Sequence, residues 1–207
     1  SALRGMYYSA EEIKKILSDI TINVAYIFTK NYGVEFSYDL MSQTHHTVEG
    51  LPLGWSIDLQ IPAIKKLIPE RSSQIYAGSY WVNNMFTVSS GLYYRTLKNL
   101  VSYKNSTNIF GVQNTSWEEE VCLGQGKSYG LETRIEKRGD KWNSTLSYTL
   151  SKTTRQYNDI NNGKIFPFSF DRRHILNFTS QLLTRKKTMV NSISTLKLHL
   201  VPVIILP

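Results

Sequence analysis

The chain has 207 residues, with 24 Lys+Arg against 16 Asp+Glu for a net charge of +8, and a single cysteine, Cys122. That length holds one domain or a piece of a larger one, and one cysteine excludes an internal disulfide or a multi-cysteine zinc site. The basic excess is diffuse: its longest run, Arg185-Lys186-Lys187, is too short for a nucleic-acid arm and reads as a charged turn, so no nucleic-acid partner is expected.

The N-terminus, SALRGMYYSAEEIKK, lacks the charged start and apolar centre of a signal peptide. Ser9 and Glu12 form a capping-box pattern ahead of IKKIL, so residues 1–18 are expected to be a loop or short helix. No apolar run approaches the roughly 18 residues of a spanning helix, which excludes a membrane α-helix but not a membrane β-strand.

From residue 20 a period of two sets in. Ile20, Ile22, Val24, Tyr26 and Phe28 share one parity, and after KNYG the pattern restarts with Val34, Phe36, Tyr38 and Leu40 against Glu35, Ser37 and Asp39. This is one hairpin with a short turn. Three more follow: 74–82 and 86–98 flank NN, 128–137 and 142–153 flank RGDK, and 174–183 and 190–200 flank RKKT. Between them lie long connections, 48–73, 99–127 and 154–173, rich in Asn, Gly, Pro and charge.

The segment WNSTLSYTLSKT, 142–153, is the sharpest case: Trp142, Leu146, Tyr148 and Leu150 on one parity back onto Asn143, Thr145, Ser147 and Thr149 on the other. Side chains of a strand alternate between faces, so a greasy face lies back to back with a hydroxyl and amide face. A soluble sandwich has strands of about five or six residues, whereas these arms are long enough to cross a bilayer at a tilt. Short turns at one end, long loops at the other and an apolar-out, polar-in dyad predict an all-β fold. Residues 19–207 are expected to form an antiparallel transmembrane β-barrel segment of about eight strands in four hairpins, with short periplasmic turns and long extracellular loops. Trp81, Trp142, Tyr93, Tyr94 and Tyr129 are expected in interfacial girdles, the small-polar face in a wet lumen.

Other motifs fail on context. VCLGQGKS ends like a phosphate-binding loop, but Val121 stands where the first glycine is required and a strand follows. His45 and His46, as strand neighbours, point to opposite faces and cannot chelate one ion; solvation at the rim or in the lumen is expected for both. Glu118, Glu119 and Glu120 read as a solvated loop run, and the acceptor patterns at Asn105, Asn114, Asn143 and Asn177 as chance matches. Nothing catalytic stands out, and no enzyme activity, metal or cofactor is expected.

The run Tyr129-Gly130-Leu131-Glu132, then Gly139 and Trp142, Tyr148-Thr149-Leu150-Ser151, Ile160-Asn161-Gly163, and Phe166-Pro167 with Asp171-Arg172-Arg173-His174 resembles the late barrel of TonB-dependent outer-membrane receptors. The resemblance is to the branch with a carboxypeptidase-regulatory-like N-terminal domain. It extends upstream through SYDLMSQ, GLPLGWSIDLQIP and IPERSSQIYAGSYW to cover about 20–183; beyond Leu183 only Leu206-Pro207 agrees.

The resemblance implies an importer: a barrel of about 22 strands closed by a plug, in the outer membrane of a Gram-negative bacterium, energised by TonB through an N-terminal part not in this sequence. Its partners would be outer-membrane lipid, TonB, a surface lipoprotein and a bulky nutrient such as a siderophore, cobalamin or a glycan. The faded pattern after Leu183 and the tail VPVIILP suggest a truncated or frame-shifted product, inactive as a fragment. Alternatives are a self-contained eight-stranded outer-membrane barrel and a soluble β-sandwich binding module. Asp171, Arg172 and Arg173, where the loop descends into a strand, are expected to form a charge-assisted rim network that holds the loop to the wall.

Overall fold

A computed structural model describes residues 19–48, 59–64, 67–104, 121–139, 142–184 and 192–200. The helix expected near Ser9, the Glu118 to Glu120 run and the RKKT turn lie outside them. Eight long strands carry the alternation: β1 (Ile20–Thr29), β2 (Tyr32–Gln43), β5 (Glu70–Val82), β6 (Phe86–Tyr103), β7 (Val121–Lys137), β8 (Trp142–Tyr157), β10 (His174–Thr184) and β11 (Ser192–Leu200). Three short strands, β3 (His45–Val48), β4 (Leu59–Pro62) and β9 (Phe166–Pro167), lie in the long connections.

The long strands form one antiparallel sheet in the order β1-β2-β5-β6-β7-β8-β10-β11, with β9 alongside β8, while β3 and β4 pair separately. Among the described residues β1 pairs only with β2 and β11 only with β10, so the sheet is open. Short turns are set by local side chains. The Thr29 hydroxyl accepts from the N–H groups of Asn31 and Tyr32, and the Asn83 carboxamide accepts from those of Met85 and Phe86; each replaces hydrogen bonds that the reversal takes away.

Register carries the two-faced character across the sheet. Val24, Phe36, Ala77, Leu92, Leu131 and Leu150 are successive partners in one row. Another row runs Trp81, Val88, Ile135, Leu146, Phe178. This outward face is uncovered by protein over most of its length: Leu92, Ile75, Leu150 and Trp142 are all exposed. A sandwich would hide it against a second sheet; here a single sheet presents it.

Four pairs of polar side chains on the outward face are hydrogen-bonded to each other within that face. Ser90 pairs with Thr133 at 3.0 Å, Ser73 donates to the Tyr38 hydroxyl at 3.3 Å, Tyr148 meets His174 Nδ1 at 2.9 Å, and Trp142 donates to the Ser180 hydroxyl. Such mutual satisfaction is what surroundings without water demand. Tyr94 and Tyr129 stack on this face, 6.5 Å between centroids. Tyr93, expected in the same girdle, is partnered with Tyr76 and Gly130 and faces inward. Consecutive strand residues cannot share a face.

β6 and β7 run past the ends expected at 98 and 128. A bulge between Lys98 and Leu100 leaves Asn99 unpaired at φ 61°, after which pairing resumes to Tyr103 and Val121. The extra residue shifts the parity, placing Leu100 inward and Val101 outward. The Asn99 carboxamide donates to the Pro69 carbonyl at 2.9 Å, tying the bulge to the start of β5.

The described core is small and lies at the long-loop end, in two clusters on opposite faces. Outside, Val101 and Val121 pack with Ile64 and Leu67, flanked by Tyr103 and Leu123. Inside, Leu100, Cys122 and Tyr157 pack together, flanked by Leu97, Ile160 and Phe166. His46, expected to be solvated, is 1% exposed. It lies on β3, against the segment around Leu67 that covers the outer cluster, whereas His45 on the other face of that strand is exposed. Neither His46 ring nitrogen has a well-formed hydrogen bond among the described residues.

Candidate functional site

Below the inner cluster the inward face is mostly polar, with tyrosine rings where glycines leave room. Glu35, Gly78, Gly91, Glu132 and Thr149 form one row. A Cβ at Gly78 or at Gly91 would overlap the Tyr76 ring, one at Gly33 would overlap Tyr80, and one at Gly130 would meet Tyr93. Here glycine serves as space rather than as a turn residue: an aromatic ring lies on bare backbone. Tyr76 thus fills a two-glycine gap between two carboxylates. The small-polar inward face expected from 142–153 holds over those residues of β8, with Arg155 and Tyr157 inward beyond them; β5 and β6 add rings.

The inward charges are organised. Arg95 Nε donates to Gln74 Oε1 at 2.8 Å, and Ser128 and Thr153 share a hydrogen bond at 3.0 Å. Near the short turns Arg134 and Arg138 converge on Glu136, at 2.6 and 3.1 Å. At the opposite end a depression of about 420 Å³ is lined by Asp39, Gln43, Glu70, Gln74, Arg95 and Leu97, among others. Its carboxylates, amides and one guanidinium can hydrogen-bond a polar ligand. Among the described residues no three His, Cys, Asp or Glu side chains are grouped as metal ligands, and no helix is long and apolar enough to cross a membrane.

The loop after β8 folds back on the wall. A 3₁₀ turn at Asn161–Gly163 reverses the chain, and β9 pairs Phe166 with Arg155 and Pro167 with Thr154. Arg155 lies over the Phe168 ring at 4.1 Å, and Tyr157 stacks on Phe166 at 6.2 Å. Asp171 follows. Its Oδ1 accepts from the Thr153 N–H at 2.8 Å and its Oδ2 from Arg173 Nε at 2.8 Å. The carboxylate side chain is 6% exposed, the guanidinium 48%. Arg172 takes part through its backbone carbonyl, which accepts from the Ser151 hydroxyl at 3.1 Å, while the Arg173 carbonyl accepts from the Ser151 N–H at 2.9 Å. Asp171 therefore caps the free edge of β8 where β10 has not yet begun.

A family model described as TonB dependent receptor-like, beta-barrel, matches residues 23–185, from within β1 to just beyond β10. No curated protein and no solved structure matches the chain.

Proposed function

Because the chain belongs to the TonB-dependent receptor-like β-barrel family, we propose that its sheet is part of the wall of an outer-membrane receptor that takes up a bulky nutrient with energy supplied through TonB. The family is one of receptors and transporters, not enzymes. The observation that carries the reading is the sorting of the faces. Between its two ends the outward face is mostly apolar, with several of its polar side chains paired to one another, and the inward face holds the carboxylates and the glycine-seated tyrosines. That is the inverse of a soluble core and the arrangement of a membrane wall around a hydrated interior.

Within this reading the depression beside Asp39 and Arg95 and the anchored loop 158–173 stand where a ligand would first meet the wall. The Asp171–Arg173 pair serves to hold that loop down, with Arg172 contributing its backbone. Carboxylate–guanidinium pairing of this kind positions backbone more readily than it contacts a ligand. A sheet with open edges cannot face hydrocarbon, so transport depends on strands that pair with β1 and β11. A surface lipoprotein partner would engage the long-loop end.

Localisation and facing are tested together in a Cys122→Ser background. Leu150→Cys and Thr149→Cys versions are expressed in a Gram-negative host, and the outer-membrane fraction is treated with a charged maleimide. The expected result is labelling at 149 and protection at 150. Equal labelling of both refutes the wall. The transport part is tested by disrupting the gene in its own host and measuring growth on limiting siderophore-bound iron, cobalamin or glycan; unchanged growth on all of them counts against it.

A further inference from the structure

Acidic side chains keep to one face of the sheet. Every acidic residue of the strands β1, β2, β5 to β8 and β10, namely Glu35, Asp39, Glu70, Glu132 and Glu136, has inward parity. The outward parity carries Arg71, Lys98, Lys127, Lys137 and Lys152 and no acid. Lys137 lies over the Trp142 ring at 4.7 Å, at the short-turn end. The other four stand near the long-loop end, on four successive strands, and none is in an ion pair among the described residues.

Their placement follows a line. Arg71 and Lys98 are direct cross-strand partners; Lys127 is diagonal to Lys98, and Lys152 is diagonal to Lys127, each diagonal step about 8 Å. A second line, of tryptophans, runs at the short-turn end through Trp81 on β5 and Trp142 on β8. The two lines keep the same separation on both strands: Arg71 to Trp81 and Trp142 to Lys152 are each ten residues (81 − 71 and 152 − 142). Ten residues span about 33 Å of strand, or about 24 Å of membrane depth at a tilt of roughly 45°. That matches the apolar band of about 25 Å on the outside of such barrels. The tryptophans thus mark one edge of the lipid-facing band and the four cations the other. Above the cations the outward face is covered by Ile64 and Leu67.

We propose that Arg71, Lys98, Lys127 and Lys152 form a binding site for the phosphate groups of lipid headgroups in the leaflet at the long-loop end. The proposal rests on the membrane-wall reading. Directly opposed like charges such as Arg71 and Lys98 destabilise a sheet unless an anion lies between them, and no acid on their face supplies one. Guanidinium and ammonium donors at headgroup depth, on a surface continuous with the lipid-facing band, fit a phosphate anchored in that leaflet.

The test is flotation of the full chain, diluted from urea onto vesicles of phosphatidylcholine alone and with about 20 mol % phosphatidic acid, where the partition coefficient should rise at least about tenfold. Arg71→Gln with Lys98→Gln, Lys127→Gln and Lys152→Gln should abolish that rise and leave binding to the neutral vesicles unchanged. A charge-matched control away from the line, Lys30→Gln with Arg134→Gln, Arg138→Gln and Lys164→Gln, should keep it. The charge-preserving set Arg71→Lys, Lys98→Arg, Lys127→Arg and Lys152→Arg should keep it too, separating loss of charge from loss of fold. An unchanged rise in the first variant, or an equal loss in the control, overturns the site. Competition by inorganic phosphate at the lipid-phosphate concentration would show a free-anion site and overturn the lipid assignment. Equal maleimide labelling at positions 149 and 150 in the outer-membrane fraction would sink the membrane-wall reading itself, and this proposal with it.

Discussion

The Tyr76 ring occupies the space that a side chain at Gly91 would need, one strand away on the inward face. Gly91→Ala is therefore expected to displace the ring and cost about 1 to 3 kcal/mol, as overpacking does. Tyr76→Ala combined with Gly91→Ala should cost less than the sum of the two single changes, because the clash is gone. The readout is the urea midpoint of outer-membrane-assembled protein; strict additivity would contradict the contact.

Facing gives the second prediction. Leu146 lies in the outward row with Ile135 and Phe178, and Thr145 in the inward row with Glu136 and Thr179. Arg at Leu146 should cost about 2 to 4 kcal/mol near the midplane of the bilayer, and Arg at Thr145 little. Equal tolerance at the two positions, measured as protease-resistant protein in the membrane fraction, would remove the facing assignment.

The loop anchor separates Asp171 from Arg173. Asp171→Ala leaves the Thr153 N–H and the Arg173 guanidinium without their acceptor, at an expected cost of about 1 to 3 kcal/mol. Arg173→Gln should cost less, its side chain being half exposed. Limited proteolysis of 158–170 should accelerate more in the first variant. The reverse order would show the arginine to be the anchor.

His46 makes the outer cover sensitive to acid. Burial, the largest influence, lowers its pKa below the ordinary 6.5, against the backbone of Leu67 and Ile68, which favours the charged ring, with His45 adding a smaller lowering. A folded-state pKa below the unfolded one means the unfolded segment binds the proton more readily. Stability from neutral His46 is therefore full above about pH 6.5 and falls as the pH drops toward the folded value. Proteolysis of the β3–β4 cover should speed up below about pH 6.5 in the parent and not in His46→Phe; a parallel response in both would exclude His46 as the sensor.

Closure can be measured on the chain itself. Refolded into detergent, it is expected to give mixed oligomers or aggregate through the free edges of β1 and β11. A heat-modifiable, protease-resistant monomer would show instead that the eight long strands close on themselves.

Much of this was legible because alternation is a property of residue order. Ile20 to Phe28 and Trp142 to Thr153 declare their two faces locally, and the strands found contain those arms. Three features were hidden. The extension of β6 was masked because Asn99 breaks the period of two, so a parity reading stops at Lys98. The seat of Tyr76 on Gly78 and Gly91 depends on register between strands, which no single strand's pattern reveals. The burial of His46 follows from a small cover whose packing partners, Ile64 and Leu67 near it in the chain and Val101 and Val121 far from it, form no local pattern. Tyr93 was within reach: its neighbour Tyr94 already claimed the outward face.

The bulge at Asn99 also sets a rule for anyone exchanging loops between barrels. Below it, even-numbered residues of β6 look outward; above it, odd-numbered ones do. The wall and the rim therefore run in different phases, joined by one supernumerary residue held to Pro69. A transplanted loop need not preserve length, but it must preserve phase. A graft joined one residue out of step would turn Leu100 toward the exterior and Val101 toward the interior, exchanging the two small cores while the strands beneath kept every partner.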